Sequence, residues 1–180
     1  MTVDERAARI KLLLFDVDGV LTDGKILLHS DGSESKTFDI KDGTAIVWAQ
    51  RLGLTVGFLS ARTSAATSQR AAQLGITLLH QGVRSKLDTY DQIADSLMLD
   101  DAQVAYMGDD ILDLPVLSRV GLAAAPADAA EDVRTRVHWV SRCNGGSGAA
   151  RDLIETILRA QGRWESIVAT YMAEAQDQRA

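Results

Sequence analysis

Short apolar runs recur along this chain at Ile10–Phe15, Thr55–Leu59, Ile76–Leu79 and Val104–Met107, and Gly121–Ala125 adds a fifth. Between them lie stretches with helical spacing: Gly43–Leu52, Ser64–Leu74, Lys86–Leu97 and Ile111–Arg119. In Lys86–Leu97, for example, Leu87, Tyr90, Ile93, Ala94 and Leu97 recur at three- and four-residue steps, which is one face of a helix. Strands that alternate with helices join through right-handed crossovers, and such crossovers build a parallel sheet covered on both faces. The predicted fold is therefore α/β, a doubly wound parallel sheet. At 180 residues, 46% of them hydrophobic, the chain can bury a core of ordinary size.

Two segments depart from this rhythm. Lys25–Ile40 holds two extended stretches around Asp31–Gly32, a turn signal, and reads as a β-hairpin projecting from the sheet. After the Ala149–Gln161 helix and Gly162, the residues Trp164, Ile167, Val168, Tyr171 and Met172 form a helical stripe. That stripe either packs on its own domain or reaches a partner subunit. No repeat and no Pro/Gly/Ser-rich linker interrupts the chain. The expectation is one domain over 1–180, with a hairpin at about 25–40 and a helical tail at about 163–178.

Charge and composition exclude several functions. The formal net charge is -6 and no Lys/Arg stripe forms, so the electrostatic footprint of a nucleic-acid binder is missing. No apolar run approaches the roughly 18 residues needed to cross a bilayer, and "MTVDERAARIK" lacks the apolar core of a signal peptide. Cys143 is the only cysteine, so no intrachain disulfide is possible and a cytoplasmic setting is expected. His29, His80 and His138 lack metal-ligand spacing.

The acidic residues sit where they are costly. "LLLFDVDGVLTDG" runs four apolar residues straight into Asp16 and Asp18, and "GDDILD" places Asp109, Asp110 and Asp113 directly after the Val104–Met107 strand. In open α/β sheets ligands bind at the carboxyl ends of the strands, so the two acidic clusters converge if their strands are neighbours. Carboxylates gathered in one cleft repel and raise each other's pKa values. A hard divalent cation resolves the conflict, and Mg²⁺ favours a few carboxylates, water and a phosphate oxygen. Two further strand ends carry Ser60 with Arg62 ("FLSAR") and Lys86 ("GVRSK"). A hydroxyl, backbone N–H groups and an ammonium suit the oxygens of a phosphoryl group in transfer. A carboxylate can accept that group as a nucleophile, and a second one two residues on can move the proton.

Asp16-Val-Asp18-Gly19-Val20-Leu21-Thr22, Ser60, Lys86 and Gly108-Asp109-Asp110 resemble the four ordered motifs of the haloacid dehalogenase superfamily of phosphatases. The resemblance implies Asp16 as nucleophile and Asp18 as general acid/base. It also implies Mg²⁺ on Asp16, Asp109 and the backbone carbonyl of Asp18, with Ser60 and Lys86 on phosphate. Neither inter-motif gap has room for a cap domain. "DGVLTDGKILLHSDGSESKTFDIKDG", "GDDILDLPVLSRVGLAAAPADA" and "GGSGAARDLIETILRAQG" are similar to the capless phosphatases of 3-deoxy-D-manno-octulosonate 8-phosphate, enzymes of lipopolysaccharide precursor synthesis. That likeness implies a homotetramer with hairpins paired between subunits. It also implies substrate contacts from Asp39, Ile40, Lys41, Asp42, Gly43, Arg62 and Arg70. The chain departs from that pattern at Val47 and Ser147, where arginines are usual. Two other readings remain: a phosphatase of a nine-carbon sugar acid 9-phosphate, and a non-catalytic assembly domain.

Overall fold

The run that ends in Asp16 becomes the centre of the sheet because it is apolar on both of its faces. Strand β1 (Leu12–Phe15) is buried at every position. The other strands are β2 (Leu27–Leu28), β3 (Glu34–Ser35), β4 (Thr55–Leu59), β5 (Leu78–His80), β6 (Val104–Met107), β7 (Leu122–Ala125) and β8 (Trp139–Val140). Six of them form one parallel sheet in the order β5-β4-β1-β6-β7-β8, while β2 and β3 pair antiparallel as a separate ribbon. The computed structural model describes residues 1–177.

The helices are α1 (Val3–Ala7), α2 (Ile40–Arg51), α3 (Ala65–Gln73), α4 (Lys86–Leu97), α5 (Leu114–Leu117), α6 (Glu131–Arg134), α7 (Ala149–Ala160) and α8 (Trp164–Asp177). Alternation along β1 points Leu13 and Phe15 to one face and Leu12 and Leu14 to the other. The first face joins Ile46 of α2 and Ile154 and Ile157 of α7 in one core. The second meets Tyr90 and Ile93 of α4 and Val116 and Leu117 of α5 in another. This is the doubly wound α/β fold expected from the strand–helix alternation. Among the described residues no cap domain is inserted: only the ribbon lies between β1 and α2, and only α3 and β5 lie between β4 and α4. No described helix is long and apolar enough to cross a membrane.

Strands β4 and β6 and helix α4 coincide with the predicted spans. Others shift for identifiable reasons. The strand expected at Ile76–Leu79 is Leu78–His80, because the Ile76 N–H donates to Ala71 O (2.9 Å) at the end of α3 and so cannot join the ladder. The ribbon ladder is only two residues per strand, pairing Leu27 with Ser35 and Leu28 with Glu34. Ile40, expected in the hairpin, instead begins α2, whose N-cap Asp39 accepts from the backbone N–H groups of Lys41 and Asp42. The helix expected at Ile111–Arg119 is broken into a single 3₁₀ turn, Ile111–Asp113, followed by short α5. Pro115 sits in the first turn of α5, where a missing N–H is tolerated. Strand β8 and helices α1 and α6 had no prediction. The tail stripe divides: Trp164 and Ile167 are buried on the core, whereas Val168, Tyr171 and Met172 are exposed. Residue 178 of the expected tail lies outside the described residues.

Ile154 is fully buried where α7 packs on α2 and the sheet. Ile154→Ala is expected to cost about 2–5 kcal/mol in denaturant unfolding. Val168→Ser, on the exposed part of α8, should stay within about 0.5 kcal/mol. Equal losses at the two positions would contradict this core assignment.

Candidate active site

Because Leu12 pairs with Val104 and Phe15 with Met107, β1 and β6 end level with each other. The sheet order reverses at this point, with β4 on one side of β1 and β6 on the other, so a crevice opens at their carboxyl ends. It is a cleft of about 230 Å³ lined by Asp16, Asp18, Ser60, Arg62, Lys86 and Asp109, among others. The two acidic clusters separated in sequence thus meet.

Asp16 is held at both oxygens. Oδ1 accepts from the Val17 N–H at 2.7 Å, and Oδ2 lies 2.9 Å from Lys86 Nζ. Lys86 opens α4 and is buried; its ammonium also reaches Asp113 Oδ1 at 2.6 Å and the Tyr106 hydroxyl at 3.3 Å. Asp113 has no exposed surface. Its Oδ1 takes Lys86 and the Tyr106 O–H, and its Oδ2 takes the backbone N–H groups of Asp109 (3.0 Å) and Asp110 (3.3 Å). Carboxylate oxygens of Asp16, Asp109 and Asp113 lie within 4.8 Å of one another. With every Asp113 lone pair direction already engaged, Asp16 and Asp109 remain to hold a cation, while Asp113 orients Lys86 and the Asp109 loop.

The electrostatics say that positive charge is short here. Burial, then the Asp113 charge, pushes the Asp16 carboxyl up to about 6 despite Lys86. Burial, then the Asp16 and Asp113 charges, pushes Asp109 up to about 7. Burial works against the Lys86 charge, but Asp16 and Asp113 outweigh it and hold the ammonium above its usual range. Gly19 fits the same cradle. Its φ is +90°, and a Cβ built there would stand 2.0 Å from Asp109 Oδ2. A set of hard oxygens around a gap of this kind suits Mg²⁺.

Ser60 is buried at the end of β4; its N–H donates to His80 O and its hydroxyl accepts from the Arg62 N–H at 3.2 Å. Beside it, Asp18 meets two cations, Lys36 Nζ at 2.6 Å and Arg62 Nε at 3.7 Å. Glu34 of β3 completes the group, with Oε2 3.1 Å from Arg62 and Oε1 3.9 Å from Lys36. The ribbon therefore reaches the rim of the cleft of its own chain.

The other expected substrate contacts lie elsewhere in the single chain. Asp39, Asp42, Gly43 and Arg70 line a small separate hollow, and Ile40 and Lys41 are exposed. Arg70 donates to Asp39 O at 3.1 Å, and a Cβ on Gly43 would come within 2.2 Å of its guanidinium. Asp42 is buried and accepts from the Gly148 (3.2 Å) and Arg151 (2.8 Å) N–H groups, which ties α2 to the start of α7. Burial pushes its carboxyl up to about 6. The glycine-rich turn at 145–148 is packed onto the Asp18–Asp23 loop: a Cβ on Gly145 would stand 1.9 Å from Gly19 O, and Gly146 N–H donates to Val20 O at 2.9 Å. Asp113 stood in the acidic cluster of "GDDILD" without an assigned role, and the fold sets it against Lys86. Lys36 and Glu34 carried no signal, since only the folded ribbon brings them to Asp18.

A family model for haloacid dehalogenase-like hydrolases matches residues 64–153. Over 163 residues the chain is 41% identical to the 3-deoxy-D-manno-octulosonate 8-phosphate phosphatase KdsC of Yersinia pestis, covering 91% of this chain and 87% of that one. The chain belongs to this family of haloacid dehalogenase-like phosphatases. Among solved structures, a probable YrbI family phosphatase from Pseudomonas syringae superposes with a TM-score of 0.93 at 46% identity, covering 94% of this chain and 97% of that one. The 3-deoxy-D-manno-octulosonate 8-phosphate phosphatase of Moraxella catarrhalis, solved in complex with magnesium ion, phosphate ion and KDO, superposes with a TM-score of 0.92. It is 32% identical, and the match covers 94% of this chain and 97% of that one.

The raised carboxyls give a stability prediction. A carboxyl lifted from 3.8 to about 6 or about 7 holds a proton in the folded state that the unfolded chain has released. In that window stability falls as pH rises. Asp109→Asn removes one of the repelling charges, and no hydrogen bond to the Asp109 carboxylate is lost among the described residues. In EDTA at pH 7.5 this variant should melt above the wild type, at roughly 2–4 °C per kcal/mol relieved. The gap should narrow at pH 5. A pH-independent difference, or a lower melting temperature at pH 7.5, would contradict the charge shortage.

Proposed function

We propose that this chain hydrolyses the phosphate monoester of 3-deoxy-D-manno-octulosonate 8-phosphate with Mg²⁺, releasing the free sugar acid for lipopolysaccharide precursor synthesis. The observation that carries this is the meeting of Asp16, Asp109 and Lys86 in one cleft, in a chain whose relatives carry that activity in their names. Asp16 and Asp109, with the backbone carbonyl of Asp18, are the groups we assign to Mg²⁺. When bound, the ion neutralises the surplus carboxylate charge and polarises the phosphoryl group.

In the first half-reaction an oxygen of Asp16 attacks phosphorus and the bond to the sugar oxygen breaks. Asp18 gives its proton to that leaving oxygen. Ser60 and Lys86 donate to the phosphoryl oxygens, and the preorganised Lys86 needs no further reorganisation because Asp113 and Tyr106 already fix it. In the second half-reaction Asp18 takes a proton from water as that water attacks phosphorus, and the bond to Asp16 breaks. Inorganic phosphate leaves and Asp16 is restored. A non-catalytic assembly role has no need of this complete set.

Selection of the sugar falls to Arg62 in the cleft mouth and to the Asp39–Gly43 segment with Arg70. Since that segment does not line the cleft of one chain, a second subunit is the means by which it would meet substrate. We propose a homotetramer whose ribbons pair between subunits. Leu27, Leu28 and Ile40 are 63%, 72% and 77% exposed, and a two-residue ladder alone is marginal in water. We place the reaction in the cytoplasm, where the single thiol stays reduced.

Phosphate release from a panel of sugar phosphates, with and without EDTA, tests the activity. The octulosonate 8-phosphate should be preferred over hexose phosphates and over a nine-carbon 9-phosphate, EDTA should silence turnover, and Mg²⁺ should restore it. Asp16→Asn should abolish turnover and Asp18→Asn should lower it by about 10²–10⁴-fold. Equal rates on hexose phosphates would refute the substrate, and near-normal turnover in Asp16→Asn would refute the mechanism. For the assembly, light scattering at micromolar concentration should return four chains; a mass of one chain would remove the tetramer.

A further inference from the structure

Asp16 and Asp18 are held in very different ways. Asp16 has a backbone N–H on one oxygen and the anchored Lys86 on the other. Neither oxygen of Asp18 accepts a protein hydrogen bond of good geometry and Lys36 Nζ donates none, so Lys36 holds Asp18 as an ion pair, by charge and close approach. Its carboxylate is instead flanked by Lys36 at 2.6 Å and by the half-exposed Arg62 at 3.7 Å. Arg62 is directed mainly to Glu34, at 3.1 Å, so Lys36 is the nearest cation that can fix Asp18.

Lys36 is an unusual lysine. Its side chain has 0% exposure, although it lies on the strand end of a ribbon whose apolar residues face outward. A buried ammonium is costly unless opposite charge surrounds it. Here Asp18 and Glu34 balance Lys36 and Arg62, two charges against two, and the four form a closed box at the mouth of the cleft. Two members of the box, Glu34 and Lys36, come from the ribbon, and the other two come from the ends of β1 and β4. The box exists only while the ribbon lies on the cleft.

We infer that Lys36 is the positioning residue for Asp18: the ribbon delivers its ammonium to the carboxylate that transfers the proton, and so couples ribbon docking to proton transfer. This rests on the reading of Asp18 as the acid/base group. Proton transfer to a leaving oxygen demands a carboxyl held within hydrogen-bond reach in the right orientation. A carboxylate with no hydrogen bond from its own loop depends on an outside group for that orientation.

The consequence differs between leaving groups. p-Nitrophenolate departs without a proton, whereas the alkoxide of a sugar needs one. Lys36→Met should therefore lower kcat/KM on the octulosonate 8-phosphate by about 10- to 100-fold and on p-nitrophenyl phosphate by less than about threefold. Because water attack also needs Asp18, rapid mixing of the variant with p-nitrophenyl phosphate should show a burst of p-nitrophenolate larger than in the wild type, approaching one per site. Should the methionine variant fail to fold, as judged by its melting curve, Lys36→Gln keeps a donor on a side chain one atom shorter, without the charge, and is read in the same way. Asp18→Asn, measured alongside, should give the same split between esters. Equal loss on both esters, no loss on either, or a raised KM shared by both without a burst would overturn the role of Lys36 while leaving Asp18 as assigned. If Asp18→Asn itself shows no split, both the acid/base reading and the inference fall.

Discussion

Lys86 is one buried ammonium set among three carboxylates, and most of the site depends on how it is held. It touches Asp16 and Asp113 directly, and it shares Asp113 Oδ1 with Tyr106. Remove it, and Asp16 and Asp113 would face each other in a low-dielectric crevice with no compensating charge, a loss that typically costs several kcal/mol. Even with it present, Asp16 and Asp109 sit well above ordinary carboxyl values. The protein alone thus leaves its crevice incompletely neutralised. That is the physical state a divalent cation would complete, and it is maintained by rigid elements on every side: α4 carries Lys86, the end of β1 carries Asp16, and the turn after β6 carries Asp109 and Asp113.

The ring around this centre is built from backbone contacts too close for side chains. Gly19 approaches Asp109, and Gly145 approaches Gly19 in turn. The loop after β1 is thereby clamped between the β6 turn and the glycine-rich turn before α7. Asp42 fastens the outer end of this arrangement, since it satisfies two N–H groups at the start of α7 from its place on α2. A residue read from the sequence as a substrate contact therefore has a second occupation, as the link between the helix that follows the ribbon and the turn that packs on the site loop. Arg70 is similarly engaged with the α2 N-terminus through Asp39 O.

A capless site must gain coverage by other means, and here the ribbon supplies part of it within the chain. Glu34 and Lys36 bring their charges to Asp18 and Arg62, while Leu27 and Leu28 remain turned outward. One strand pair thus presents a charged edge to its own cleft and an apolar edge away from it. The two-residue ladder contributes little stability itself, so the ionic box and whatever covers the apolar edge decide where the ribbon sits.

The sequence by itself determined the sheet apart from β8, the longer helices and the residue types at the strand ends. Apolar runs such as Leu12–Phe15 and Val104–Met107 are local, and their periodicity survives whatever the rest of the chain does. The acids after them, Ser60 and Lys86 were legible because a charge placed directly after a buried strand has few places to go. Boundaries were less legible where two local rules competed: Asp39 as a helix cap outweighed the extended pattern through Ile40, and Pro115 cut short the helical pattern from Ile111. Only the tertiary structure decided that Asp113 uses all its oxygens on Lys86, Tyr106 and two backbone N–H groups. It alone decided that Asp42 and Arg70 turn away from the cleft and that Lys36 reaches Asp18. These are contacts between segments far apart in the chain, or set by how a loop folds back, and their energies come from burial and charge balance that no sequence periodicity records.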